Sequence, residues 1–274
     1  MKKNSLFSFI SSCALPTTHG DFEMRVYRNT IGQDAMALVV RMYHGKTAYT
    51  KSEETQGSVG GAAAMFDQTD KERSIFLRVQ DQCITSEIFG SIRCDCKQQL
   101  DASLSLLQRQ AVKRFQFASS QSHVLNEDEI IGMVIYLLQE GRGIGIGAKV
   151  SAYALQDEGG LSRSSAEQQH RLDTVDANRA LGLPDDVREY SAVPDILRDL
   201  GVLEDVEQPV FLLTNNPRKV ELIESLDVTI KGRISCLVPA GSALAAAYLR
   251  SKAERMGHDI PSSIYEWEVK KSLS

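Results

Sequence analysis

Four short apolar runs, separated by stretches of helical spacing, restrict this chain to folds built around a buried sheet. Ala35 to Tyr43, Ile75 to Val79, Ile130 to Leu138 and Val210 to Leu213 are rich in β-branched and apolar residues and read as buried strands. Between them Leu100, Leu104, Leu107 and Ala111 share one helical face. Val220, Ile223 and Leu226 do the same behind Asn216-Pro217, where Asn216 suits an N-cap and Pro217 the first helical position. Strands alternating with helices predict an α/β fold, a layered mixed sheet flanked by helices. At 274 residues and 42% hydrophobic content the chain can bury a full core, in one large domain or two modest ones, and no internal repeat or long linker divides it.

Three stretches read as surface excursions: Lys51 to Arg73, Phe117 to Glu129 and Gly159 to Arg171. With 31 Lys and Arg against 36 Asp and Glu, the net charge of -5 provides no global basic field. That disfavours a nucleic-acid partner bound through many phosphates and leaves room for a basic pocket that takes one small anion. No stretch approaches the ~20 apolar residues that cross a bilayer, so no membrane partner is expected. Met1-Lys2-Lys3 followed by Leu6, Phe7, Phe9 and Ile10 has the outline of a signal peptide, but Ser8 interrupts the run and Ser11 and Ser12 end it. A cytoplasmic protein is expected. Five cysteines, an odd number, fit a reducing compartment where thiols serve metals or catalysis.

Three of those cysteines, Cys83, Cys94 and Cys96, form a C-x10-C-x-C pattern. Cysteines one residue apart on a flat strand lie ~7 Å apart, so joint binding of one ion predicts a turn at Asp95, at the start of the helix that follows. A helix N-terminus also favours thiolates, the ligating form. Three thiolates leave a fourth zinc position for water, which suggests catalysis. Two other readings stay open on spacing alone: a structural zinc closed by His19, His44, His123, His170 or His258, and merely buried thiols. Cys13 and Cys236 are isolated and read as core residues or spectators.

The segment from Cys83-x-Thr85 through Ser91-x-Arg93-Cys94-Asp95-Cys96 to Gln99-Leu100 resembles the metal-binding signature of the GTP cyclohydrolase II family. The resemblance continues in order through Gln139-Glu140-Gly141-Arg142, Ala152-Tyr153-Ala154-Leu155-Gln156-Asp157, Asp173-Thr174-Val175-Asp176-Ala177-Asn178, Leu213-Thr214-Asn215-Asn216-Pro217-Arg218-Lys219 and Lys252 to His258. Leu15-Pro16-Thr17 and Gly20-Asp21-Phe22 extend it toward the start. Several segments in one order are more specific than any one of them. The resemblance implies an N-terminal extension over 1–14, a catalytic domain over 15–258 and a tail over 259–274, without the synthase domain for the other riboflavin precursor. Where many family members carry H-S-E before the first cysteine this chain has Gln80-Asp81-Gln82, and where they often carry glycine after C-D-C it has Lys97.

The activity implied is hydrolysis of GTP at C8 by water that zinc acidifies, with loss of formate and diphosphate, the first step of riboflavin biosynthesis. Cys83, Cys94 and Cys96 would hold Zn2+, and Mg2+ would accompany the triphosphate. Tyr153 aligns with the tyrosine that donates or shares a proton, Asp186 with the proposed proton acceptor, and Arg188 with the proposed nucleophile on the α-phosphate. A guanidinium stays protonated at neutral pH, so an anion clamp is the easier physical role for Arg188. Arg78, Val79, Gln80, Asp81, Gln82 and Gln99 align with GTP contacts, as do Glu140, Gly141, Arg142, Thr174, Thr214 and Lys219. A homodimer is implied as well. Two alternatives remain: a paralogue that acts on another nucleotide or in pyrimidine catabolism, and a non-catalytic zinc protein that binds nucleotide.

Overall fold

The computed structural model describes residues 6–54, 74–120, 126, 128–157, 172, 174–184, 186–203, 209–240 and 242–265. Through them runs a seven-stranded sheet in the order β1-β2-β3-β5-β4-β6-β7. Its members are β1 (Phe7–Thr17), β2 (Gly20–Asn29), β3 (Asp34–Arg41), β4 (Ile75–Asp81), β5 (Ile130–Leu137), β6 (Val210–Leu213) and β7 (Ile230–Ile234). The first three form an antiparallel meander and β3 pairs antiparallel with β5. β5, β4, β6 and β7 run parallel, so the sheet is mixed as expected.

All four predicted strands form. The first stops at Arg41 because α1 (Met42–Glu54) begins at the next residue. β1, β2 and β7 carry no continuous apolar run, since β1 and β2 form one margin of the sheet and β7 the other, where the faces are only partly covered. Pairing of β1 with β2 begins at Phe7, so the sheet extends through residues ahead of Leu15. Beyond His258, Asp259 N–H donates to the Asn215 carbonyl at 2.9 Å and Ala240 N–H to the Ile264 carbonyl at 3.0 Å. Of the expected excursions, Lys51 to Arg73 lies outside the described residues from residue 55 on and Gly159 to Arg171 does so entirely, whereas Phe117 to Ser120 form the last turn of the helix Cys96–Ser120 instead of a surface loop. No helix among the described residues is long and apolar enough to cross a membrane.

Alternation along the strands divides the core into two faces. Ile75, Leu77 and Val79 of β4, with Met133 and Ile135 of β5, pack on Val193, Ile196 and Leu197 of α6 (Ala192–Asp199) and Ile223 of α7 (Pro217–Glu224). Phe76 and Val134 point the other way, onto Leu104, Leu107 and Ala111 of α3 (Cys96–Ser120). Each fully buried aliphatic side chain of this kind contributes roughly 1.5–3 kcal/mol. Gly132 brings the sheet and α3 together: a Cβ there would lie 2.4 Å from the Phe76 carbonyl oxygen and 2.6 Å from Leu107 Cδ2. The predicted cap on α7 is present, with the Asn216 side chain accepting from Arg218 N–H and Pro217 opening the helix.

The connection leaving β4 through α3 returns on one side of it as β5, and the chain leaving β5 returns on the other side as β6. That reversal makes the carboxyl ends of β4, β5 and β6 a switch point, where open α/β sheets bind ligands.

Candidate active site

The loop after β4 supplies the first cysteine. Gln82 N–H still donates to the Leu137 carbonyl at 2.9 Å, and Cys83 then opens α2 (Ile84–Glu87) by accepting from Ser86 N–H at 3.0 Å and Glu87 N–H at 2.9 Å. The chain loops back and turns at Asp95 into α3, which begins at Cys96, so the expected turn is present. The three sulfurs lie within 4.8 Å of one another, with Cys83 and Cys94 at 3.6 Å. Tetrahedral zinc with ~2.3 Å bonds to sulfur needs sulfur pairs ~3.8 Å apart, so the cluster can hold a metal of this kind. Hydrogen bonds from Cys94 and Cys96, helped by Lys149, hold the Cys83 thiol well below its usual range, while Cys83 pushes the other two up.

No fourth Cys, His, Asp or Glu joins this cluster among the described residues. His19 faces Asp101 and Ser105, each at 3.2 Å, and His44 Nδ1 accepts from Arg41 N–H at 3.0 Å. His258 lines the same cavity as the cysteines, and burial pushes its imidazole down to about 3, with Lys252 and Arg188 adding to the effect. His123 and His170 fall outside the described residues. Cys13 is exposed, and Cys236 is buried with its sulfur 3.8 Å from Ser103 Oγ.

Around the sulfurs stands a shell of ion pairs. Asp95, between two of the cysteines, accepts from Lys252 Nζ at 2.9 Å and from the Gln99 amide. Lys252 belongs to α8 (Ala243–Met256), so this contact ties α8 to the start of α3. Lys149 of α4 (Gly145–Asp157) places Nζ 3.1 Å from Cys83 Sγ and 2.6 Å from Glu140 Oε1. Glu140 also accepts Ile84 N–H at 2.7 Å, so it links the turn after β5 to the loop after β4. In that turn Gly141 and Arg142 are consecutive left-handed residues, each with φ 62°. The strained Arg142 backbone is pinned by Val187 N–H donating to its carbonyl at 3.1 Å.

One helical turn beyond Lys149 lies Tyr153. The Arg93 guanidinium stacks 4.7 Å from its ring centre and pairs through Nη2 with both oxygens of Asp157, at 2.9 and 2.6 Å. Burial pushes the Tyr153 phenol up despite Lys149, so it stays protonated near neutrality and can donate.

At the end of β4 the charges converge again. Asp81 Oδ2 accepts from Arg188 Nη1 and Lys219 Nζ, both at 2.8 Å, and from Tyr190 Oη at 3.3 Å. Burial opposes ionisation of Asp81, but Lys219 and Arg188 outweigh it and hold the carboxyl below its usual range. Burial pushes Lys219 down to about 8, with Asp81 opposing and Arg188 and Arg78 adding. Asp186 grips Arg188 from behind through Nε at 2.9 Å and Nη2 at 2.5 Å. Arg78 on the α3 side of β4 donates to Gln80 Oε1, Gln99 Oε1 and the Leu213 carbonyl.

These groups border a cavity of about 770 Å³. Of the sequence-predicted residues, Arg78, Gln80, Asp81, Gln82 and Gln99 line it together with the three cysteines. Glu140, Gly141, Arg142, Tyr153, Arg188, Thr214 and Lys219 line it as well. Val79 does not, being fully buried in the core, and meets the site only through its carbonyl, which accepts from Lys219 Nζ at 2.9 Å. Asp186 is also off the cavity wall. Thr174 opens α5 (Thr174–Ala180), and its side chain lies outside the described residues. Sequence reasoning left Lys149 and Tyr248 unmentioned, placed Arg93, Asn178 and Lys252 in motifs without a role of their own, and weighed His258 only as a zinc ligand; all six line the cavity. A signal existed for Lys149, one helical turn before Tyr153, and for Arg93, beside Cys94.

The family model for GTP cyclohydrolase II matches residues 8–235. The riboflavin biosynthesis protein RibBA of Synechocystis sp. is 32% identical over 261 residues, which cover 95% of this chain and 35% of that protein. RibBA of Chlamydia trachomatis is 35% identical over 94% of this chain, and the chain spans 47% of its length. GTP cyclohydrolase-2 of Picrophilus torridus is 31% identical over 92% of this chain and 99% of its own length. With the match running from β1 into the last parallel strand and taking in all three sulfurs, the chain belongs to the GTP cyclohydrolase II family.

Proposed function

We propose that this chain is a zinc-dependent hydrolase that opens the imidazole ring of GTP at C8. Formate and diphosphate leave, and the product is 2,5-diamino-6-(5-phosphoribosylamino)pyrimidin-4-one, made in the first step of riboflavin biosynthesis. The observation that carries this reading is the three-sulfur cluster in the wall of a cavity also lined by Arg142, Arg188 and Lys219. The relative that this chain covers almost end to end is a GTP cyclohydrolase-2, which supports the same substrate.

Zinc bound by Cys83, Cys94 and Cys96 supplies a Lewis acid and a water whose pKa is lowered toward ~7. The remaining work falls to the protein. Arg188 and Lys219 bind the departing diphosphate, and Arg188 does so as a clamp, because its guanidinium is held well above its usual value. Asp186 is a positioning residue that fixes the plane of that guanidinium. Tyr153, kept protonated, donates to a ring nitrogen as the carbon–nitrogen bond opens. Arg78, Gln80, Gln82 and Gln99 offer hydrogen-bonding groups to the purine edge, and Mg2+ travels with the triphosphate, whose oxygens supply most of its ligands. The enzyme acts as a cytoplasmic homodimer without nucleic-acid or membrane partners.

Incubating the zinc-loaded protein with Mg2+ and GTP, ATP or GDP, and assaying formate and diphosphate, tests this reading. Both products should appear with GTP. Strong turnover of ATP or GDP instead would select the paralogue reading, and nucleotide binding without either product would select the non-catalytic one.

A further inference from the structure

Each carboxylate on the cavity wall among the described residues faces a cation, and one faces two. Glu140 pairs with Lys149 and Asp157 with Arg93, whereas Asp81 pairs with both Arg188 and Lys219. The position of Asp81 is itself unusual. Ile75, Leu77, Val79 and Asp81 occupy alternate places along one side of β4, so an apolar stripe ends in an acid. The three side chains are 11% exposed for Asp81, 14% for Arg188 and 7% for Lys219, yet all three border the cavity.

Two cationic donors converging at 2.8 Å on a single Asp81 oxygen reproduce the contacts that a phosphate oxygen would seek there. Arg78 stands near enough to depress Lys219, and its own hydrogen-bond acceptors are neutral. Without Asp81, Lys219 would have no carboxylate on it and Arg188 would keep only Asp186. With it, Lys219 and Arg188 share one carboxylate, and Asp186 supplies a second to Arg188.

We propose that Asp81 is a specificity-determining residue that acts as an internal competitor for the diphosphate end of the nucleotide. An incoming oxyanion reaches Arg188 and Lys219 only by displacing the Asp81 carboxylate, which weakens the hold on diphosphate-bearing ligands and speeds their release. The identity of the nucleotide rests on the function proposed above, but the anion chemistry does not. A purely structural counter-ion predicts the opposite sign, because its loss would let both cations swing out of place.

Calorimetric titration of the zinc-loaded protein with inorganic diphosphate, and separately with guanosine, distinguishes the two for wild type, D81N and D81S at fixed pH and ionic strength. The expected result is diphosphate bound about tenfold more tightly by both variants, with guanosine unchanged. Equal or weaker diphosphate binding would overturn the proposal. So would failure of both variants to fold by circular dichroism, since Asp81 would then be a structural counter-ion. If wild type releases no formate from GTP, the proposed function fails while the diphosphate comparison stays readable.

Discussion

The ammonium of Lys149 stands 3.1 Å from the sulfur of Cys83. Three thiolates on a divalent ion carry an excess negative charge, and a fixed cation at this distance offsets it. K149M should therefore lower zinc affinity by about 10–100-fold, the usual effect of losing a partner that supports a ligand. Competition with a chromophoric chelator measures it, and unchanged affinity would mean that Lys149 serves only Glu140.

Arg93 joins Tyr153 to Asp157 and should act on the tyrosine through its ring. R93A is expected to lower kcat about tenfold while leaving KM for GTP within about twofold, because the phenol loses its orientation and not its proton. D157N should move kcat in the same direction, and the double variant should be no worse than R93A. Additive losses would show two independent roles.

Lys219 gives the pH dependence a definite sign. Its folded-state value of about 8 lies below the usual lysine range, chiefly through burial, with Asp81, Arg188, Arg78 and Tyr190 around it. Its charge, and with it part of the grip on phosphate, is present below about pH 8 and fades above it. The kcat/KM for GTP should fall on that limb, and K219R should remove the limb because arginine stays charged. Stability moves the other way: the cost of burying the ammonium is full below about pH 8 and is relieved as pH rises toward the unfolded value. His258, pushed down to about 3, should add no limb near neutrality.

The Lys252–Asp95 pair is buried, at 12% and 6% exposure. K252M leaves Asp95 without its cation and should destabilise the fold by about 3–5 kcal/mol, read from urea unfolding. Zinc affinity should drop with it, since Asp95 sets the turn between Cys94 and Cys96. A loss under about 1 kcal/mol would show that Gln99 alone suffices.

What could be read from the residues follows from how each part is buried. β3, β4, β5 and β6 are covered on both faces, so Ile75 to Val79 and its counterparts announce themselves as apolar runs. β1 and β2 escape because Ser8, Ser11 and Ser12, and the charged residues of Glu23 to Arg28, suit the partly exposed margin of a sheet. The cysteine turn was legible because one metal cannot span a flat C-x-C, and that spacing demands the bend found at Asp95. The partners of Asp81 were not. Arg188 is 107 residues away, on the segment before α6, and Lys219 is 138 away, on the helix after β6, so only the assembled sheet makes them neighbours. Val79 was placed among nucleotide contacts by its motif, whereas strand alternation turns its side chain into the core.

The central claim is that ring opening depends on the metal held by three sulfurs, and paired metal and formate analysis of wild type, C83S, C94S and C96S tests it most directly. Wild type should carry about one zinc per chain and release one formate for each GTP consumed, and each variant should lose the zinc together with at least about 1000-fold in rate. Formate released at the wild-type rate by protein stripped of zinc, or by a folded variant that no longer binds it, would contradict the account.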